Sequence, residues 1–397
     1  MPQPIRLAIV VTHPIQHFVH FYRALANDPA LDLHVLYGAP IGVKPYFDSE
    51  MRSEISWNMD LLGGYSHEFL EAAADGRQSG IWSPNSAAVA ARLSAFSPDV
   101  VLVYGYAQMN VLRALLWCRR NRIPAMTIGD SELLQDRSGW KSAIKSLGIP
   151  LVYKQFSAFL SVGDRNEEYY RHYGARAGQI FRVPFTIDEH AYGAARENRA
   201  GLRAEIRKEF DLREDDIVAL FVGKLSPRKR PGDLLDAIAL LQDRKEGRRI
   251  VALFAGHGEL AEQLRASAAA KGLDARFAGF VNVDRLPALY AAADVLVHPS
   301  QADPHPLICS ESACIGLPMV LSDRVGAVGP SDIAREGESA LVVPCGDVPA
   351  IARALVTLAD DPALLHLMSS RSRAIFEELD MKRSVAGVLE AVGAVVR

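Results

Sequence analysis

The stretch that decides the fold is Asp294 to Leu321, DVLVHPSQADPHPLICSESACIGLPMVL. It divides into an apolar run (Val295 to His298), a polar loop (Pro299 to Pro306), a helical segment (Leu307 to Ile315), a Gly316-Leu317-Pro318 break and a second apolar run (Met319 to Leu321). Runs this short and this apolar suit strands of a parallel sheet, which is covered on both faces. The loop then lies at the carboxyl end of a strand and the amino end of a helix. Open α/β sheets bind ligands there, and free N–H groups attract anions. Two carboxylates bracket it, Asp303 in the loop and Glu311 just over one helical turn beyond Leu307. The residues alone describe a site for a phosphorylated ligand that also carries hydroxyls.

Working outward, Ile217 to Val222 reads as the first strand of the same sheet. It runs into Gly223-Lys224-Leu225-Ser226-Pro227-Arg228-Lys229-Arg230, a glycine turn with four basic residues in eight. Lysine offers a pyrophosphate point charge and arginine a bidentate fork. Ile250 to Ala255 is the next strand, followed by Gly256-His257-Gly258; by itself such a pair of glycines need only be a tight turn. Arg276 to Val281 reads as a strand and turn. The bland alternatives are a solvated basic loop, a loop acid at Asp303 and a helix-surface acid at Glu311.

Together these segments resemble the signature of retaining glycosyltransferases of family 4, which have the GT-B fold. That pattern is an acid, seven residues, Glu, a small-residue helix and Gly-x-Pro. Here it stands as Asp303, seven residues, Glu311, then Ser312-Ala313-Cys314-Ile315-Gly316-Leu317-Pro318. The basic loop resembles the family's Gly-x-Leu-Ser-Pro-x-Lys segment, with Gly223, Lys224 and Lys229 in register. Asp303 replaces the usual Glu and Lys224 the usual Arg. The resemblance implies two Rossmann-like, doubly wound domains facing each other across a cleft. The second would hold a UDP- or GDP-sugar, with Lys224, Lys229 and the amides of His305, Leu307 and Ile308 on the diphosphate. Gly223, Gly256 and Gly258 would line the nucleotide, Val281 the base, Glu311 the ribose and Asp303 the sugar. Transfer would go to a carbohydrate, lipid-linked or small-molecule acceptor with retention. A sugar-nucleotide epimerase and a non-catalytic nucleotide-sugar-binding protein are the rival readings.

The amino-terminal half opens with strand, turn and helix: Ile5 to Val11, Thr12-His13-Pro14, then helical spacing from Ile15 to Ala26. No Gly-x-Gly-x-x-Gly follows the first strand, which argues against a nicotinamide dehydrogenase. His13 and His17 either cap and pack the helix start or face the cleft; the string THPIQHFVHFYRALA resembles the opening of one family 4 subgroup, which implies that His13, a catalytic candidate, or His17 touches acceptor or phosphate. Further strands, Asp99 to Tyr104, Pro124 to Ile128 and Ala158 to Val162, end in polar residues that a parallel sheet places on one rim. Tyr104, Tyr106, Asp130 and Glu132 are therefore acceptor-side candidates beside His17. Trp57 and Trp82 read as buried packing before they read as the lining of an acceptor groove. Asp164 and Arg165 end the last of these strands, as ligand contact or helix cap. Relatives often carry a His where this chain has Tyr104.

At 397 residues the chain exceeds one comfortable core. The reading is an acceptor-side domain over 1–190, a donor domain over 191–380 and a closing helix over 381–397 that returns to the first domain; Thr186 to Gly201, polar and small, is the boundary. A net charge of −3 makes no general case for nucleic acid. Four scattered cysteines suit reduced thiols. No Asp-x-Asp cluster is present, so the chemistry is read as metal-independent, without a cofactor. No secretory signal or membrane-spanning run is visible. The protein is expected in the cytoplasm, with any membrane contact peripheral, at the inner face. A basic amphipathic helix from Trp140 to Phe159, with Pro150 dividing it, reads first as an ordinary surface helix with lysine stems over a packed face, and second as the segment for such contact.

Overall fold

The apolar runs form strands because both of their faces are covered. In Ile5–Val11, Leu7, Ile9 and Val11 join one buried cluster with Phe18, Tyr22 and Val388. Ala8 and Val10 join another with Leu115 and Phe159. Alternate side chains of a strand leave opposite faces, so a strand apolar throughout must be sandwiched.

The structure is a computed structural model describing residues 3–48, 53–70, 85–134 and 139–396. Among these, seven strands make one parallel sheet, in the order Ser66–Phe69, Leu31–Tyr37, Ile5–Val11, Val100–Tyr104, Ala125–Gly129, Ala158–Ser161, Ile180–Arg182. Six make a second, in the order Ala275–Gly279, Ile250–Ala255, Ile217–Val222, Val295–His298, Met319–Ser322, Ala340–Val343. In each, the chain builds outward from its first strand and then reverses to that strand's other side. Such a switch point opens a crevice at the carboxyl ends.

Two units result: Met1–Tyr46, Ile55–Ile187 and Asp380–Arg397 form one, and Phe47–Glu54 with Asp188–Leu379 the other. The helix Met381–Val395 belongs to the first, where Val388, Ala391 and Val392 are fully buried. Ser384 Oγ donates to the Pro184 carbonyl at 2.9 Å. A side chain at Gly387 would run into the Arg182 carbonyl, so glycine lets this helix lie against the backbone.

Two segments take a form that the chain did not show. The boundary stretch Thr186 to Gly201 contains the division between the units, at Ile187 and Asp188, and within it Glu189–Glu197 is a helix, capped by Asp188, which accepts from the Ala191 amide at 3.0 Å. Its small residues allow close packing, and Tyr192 and Ala195 are buried. The basic helix spans Gly139–Tyr153 with Pro150 inside it, and stops short of Phe159 because Ala158–Ser161 is already a sheet strand. Trp82, and the side chains of Trp140, Lys141 and Lys145, lie outside the described residues.

Candidate functional site

At the carboxyl edge of the second sheet three strand ends are tied together. Gly223 N donates to the Ala255 carbonyl at 3.0 Å, Gly256 N to the Gly279 carbonyl at 2.8 Å and Leu225 N to the His257 carbonyl at 2.9 Å. Gly256 has φ of 154°, and a Cβ there would collide with the Gly223 carbonyl. Only glycine fits this approach. Val281 lies just past the third strand and is half-buried, as is Lys224 at the end of Ile217–Val222.

The basic loop is stitched to the polar loop. The Arg228 carbonyl accepts from Gln301 N at 2.9 Å and Ser300 Oγ at 3.1 Å, and Arg228 Nη1 donates to the Ala302 carbonyl at 2.9 Å. This brings Lys229 Nζ onto Asp303 Oδ2. His298 Nε2 meets the same oxygen at 2.7 Å. Burial works to raise the Asp303 carboxyl, but His298 and Lys229 outweigh it and hold the group well below the usual carboxylate range. Burial lowers the Lys229 ammonium against the pull of Asp303. Lys229 and Asp303, assigned separate parts from sequence, are thus partners.

Helix Leu307–Ile315 starts at Pro306 with no side-chain cap, and among the described residues no side chain accepts from the Leu307 or Ile308 amide. Leu307 and Ile308 are half-buried there. The His305 ring turns to Asp332, Nε2 to Oδ1 at 3.0 Å, and both are buried. Glu311 Oε2 accepts from the Tyr290 hydroxyl at 2.6 Å, and Tyr192 bonds it too. Burial raises the Glu311 carboxyl, and the two hydroxyls partly offset this.

On the rim of the first sheet, Thr12 Oγ1 and His13 Nδ1 are 2.9 Å apart, and burial lowers the His13 pKa. His17 packs against Phe18 and Phe185, with ring centroids at 4.0 and 5.7 Å, and burial lowers it to about 3. The Tyr104 hydroxyl is buried, its ring edge-on to Phe18. Tyr106 bonds the Tyr169 hydroxyl at 2.7 Å. Glu132 is buried and accepts from the Leu134 amide. Asp130 is exposed. Among these candidates Tyr104, Tyr106, His17, Glu132 and, through Thr12, His13 are engaged in packing or local bonds. Asp164 pairs with Arg182, and Arg165 with Glu168. Trp57 is half-buried. Sequence reasoning passed over His298, Tyr192 and Tyr290. A lone imidazole at the end of an apolar strand was a readable signal; Tyr290 in the apolar helix Leu286–Ala292 and Tyr192 in the polar, small-residue helix Glu189–Glu197 were not.

Known proteins share this architecture over its whole length. Anabaena Alr3699/HepE in complex with UDP superposes with a TM-score of 0.73, covering 98% of this chain and 100% of that one at 17% identity. WaaG, a glycosyltransferase involved in lipopolysaccharide biosynthesis, gives 0.60 at 13% identity over 98% and 99%. The fold is GT-B. More particularly, residues 203–375 match the family model of group 1 glycosyl transferases. The D-inositol 3-phosphate glycosyltransferase of Streptomyces griseus is 33% identical over 213 residues, 51% of this chain and 43% of that protein. The alpha-D-kanosaminyltransferase of Streptomyces kanamyceticus is 27% identical over 222 residues, 55% of each. The chain spans about half the length of the curated relatives it matches.

Proposed function

We propose that this chain is a glycosyltransferase that moves a sugar from a UDP-sugar to a hydroxyl of a carbohydrate, lipid-linked or small-molecule acceptor. One observation carries the reading. At the carboxyl edge of the second sheet, the Asp303–Lys229 pair, the uncapped start of Leu307–Ile315 and the glycine turn at Gly256 converge. The UDP complex of HepE favours uridine over guanosine as the base.

Breaking the bond between the anomeric carbon and the diphosphate oxygen leaves negative charge on the diphosphate. Lys224, Lys229 and the amides of Leu307 and Ile308 are the groups that stabilise it. His305 adds only its amide, because its ring is held by Asp332. Asp303 accepts from sugar hydroxyls and Glu311 from the ribose, exchanging tyrosine donors for ligand ones. His13, kept neutral by burial, is the acceptor-side group able to take a proton. The resemblance of the Asp303 and Glu311 spacing to retaining enzymes supports retention. Lys224 and Lys229 at the diphosphate loop support chemistry without a metal ion, whereas Arg228 is bonded to the Ala302 carbonyl and Arg230 to Asp233. A nucleotide-activated donor goes with a cytoplasmic reaction.

The test is thermal denaturation with UDP, GDP and UDP-glucose, followed by product analysis. UDP should raise the melting temperature at saturation, since it binds only the folded state. Glu311→Ala should shrink that shift, and Asp303→Ala should abolish release of sugar from the donor. No shift with any nucleoside diphosphate at millimolar concentration would overturn the reading. An altered sugar nucleotide formed without acceptor would make the protein an epimerase instead, and binding without turnover a binding protein.

A further inference from the structure

His298 ends an otherwise apolar strand, Val295–His298, and its side chain is 1% exposed. An aromatic or aliphatic side chain could fill this space without a polar atom. The imidazole instead makes one bond, to Asp303 Oδ2 at 2.7 Å. A carboxylate only accepts, so Nε2 carries the proton. That leaves Nδ1 as the bare nitrogen, and it is buried with no hydrogen-bond partner. A buried acceptor without a partner is costly to keep. What the ring supplies in return is a single, directed N–H on the carboxylate of the candidate site.

That N–H has a geometric consequence. Oδ2 is occupied by both His298 Nε2 and Lys229 Nζ. Among the described residues no side chain or amide bonds Oδ1. The two donors fix the carboxylate plane and leave one oxygen for a ligand. Asp303 is one methylene shorter than Glu, so its reach depends strongly on how the plane is set. Burial, reinforced by the neighbouring Lys229 and Arg228 charges, keeps the ring neutral against the pull of Asp303. It therefore donates one bond and adds no second cation.

We propose that His298 is a positioning residue for donor sugar recognition: it anchors Asp303 Oδ2 so that Oδ1 is presented to a hydroxyl of the transferred sugar. This rests on the glycosyltransferase reading above and adds a residue to it. It separates the sugar from the nucleotide: His298 should matter to the part of the donor that touches Asp303 and not to the diphosphate.

The experiment measures affinity for UDP and for UDP-glucose, and the rate of UDP release from UDP-glucose, in the wild type, His298→Phe and His298→Gln. Phenylalanine keeps a flat ring without a donor. Glutamine places an amide N–H the same number of bonds from Cα as Nε2. His298→Phe should bind UDP within about twofold of wild type and lose about tenfold or more in UDP-glucose affinity or turnover, the scale of a hydrogen bond to a charged group. His298→Gln should recover most of that loss. A merely structural histidine would not be rescued by glutamine and would not separate the two ligands. Equal weakening of UDP and UDP-glucose, or a His298→Phe variant matching wild type on UDP-glucose, would overturn the role of His298. A wild type that binds no UDP would instead overturn the reading on which it rests.

Discussion

His17 is a residue whose surroundings decide its charge. Its ring lies against Phe18 and Phe185, and burial lowers its pKa from 6.5 to about 3. Between those values the unfolded chain takes up a proton that the folded protein refuses. The stability that His17 permits is complete above about pH 6.5 and drains away as pH falls toward 3, with a slope of at most about 1.4 kcal/mol per pH unit for one proton. Replacing His17 with Phe should flatten urea-denaturation stability measured at pH 7, 5 and 4, with little change at pH 7. The same residue shows what a sequence conceals. Asp303 and Glu311 were readable as candidates because they share one loop and the helix that follows it; that Lys229 pairs with Asp303 was not, since 74 residues separate them. His17 was legible only as a polar residue near a helix start. Whether such a ring meets solvent or phenylalanine depends on Phe185, which lies far along the chain.

The helix Leu307–Ile315 makes a prediction of its own. Its amino end has a proline where most helices place a capping side chain. A cap would satisfy the amides that the proposed diphosphate needs. Pro306→Ser should therefore weaken UDP binding several-fold. Its effect on stability should stay within about 1 kcal/mol, since the gained cap and the lost proline rigidity act in opposite directions. Isothermal titration and chemical denaturation of one sample give both numbers. A UDP affinity unchanged by the cap would place the anion elsewhere. Elements with a strong apolar period, such as Ile217–Val222 and Gln16–Ala26, were readable from the chain alone. Glu189–Glu197 was not, because its alanines and glycine read equally as linker. Its helicity follows from burial of Tyr192 and Ala195, a tertiary effect.

For the molecule as a whole, the first unit is assembled from separated pieces. Its strand Ile180–Arg182 and its helix Met381–Val395 meet at Gly387, where no side chain has room. Gly387→Val should lower the melting temperature, with a loss of about 1–3 kcal/mol or more, the usual cost of overpacking. UDP affinity should be retained, since the residues proposed to hold UDP all belong to the other unit. A melting curve with and without UDP separates the two effects. The return of a closing helix was an expectation of the family resemblance, with which the apolar content of Ser384 to Val396 agreed; the glycine contact that seats it was not legible, because only the three-dimensional arrangement brings the Arg182 carbonyl there. The same arrangement bears on how the protein is made. Ser384 and its partner Pro184 stand 200 residues apart. At ordinary rates of synthesis the ribosome takes roughly 10–40 s to cover that distance. Through that interval the earlier-made half waits with an apolar surface uncovered, while Asp188–Leu379, nearly continuous in the chain, can close first. A nascent chain stalled before residue 380 should therefore engage chaperones through its amino-terminal half.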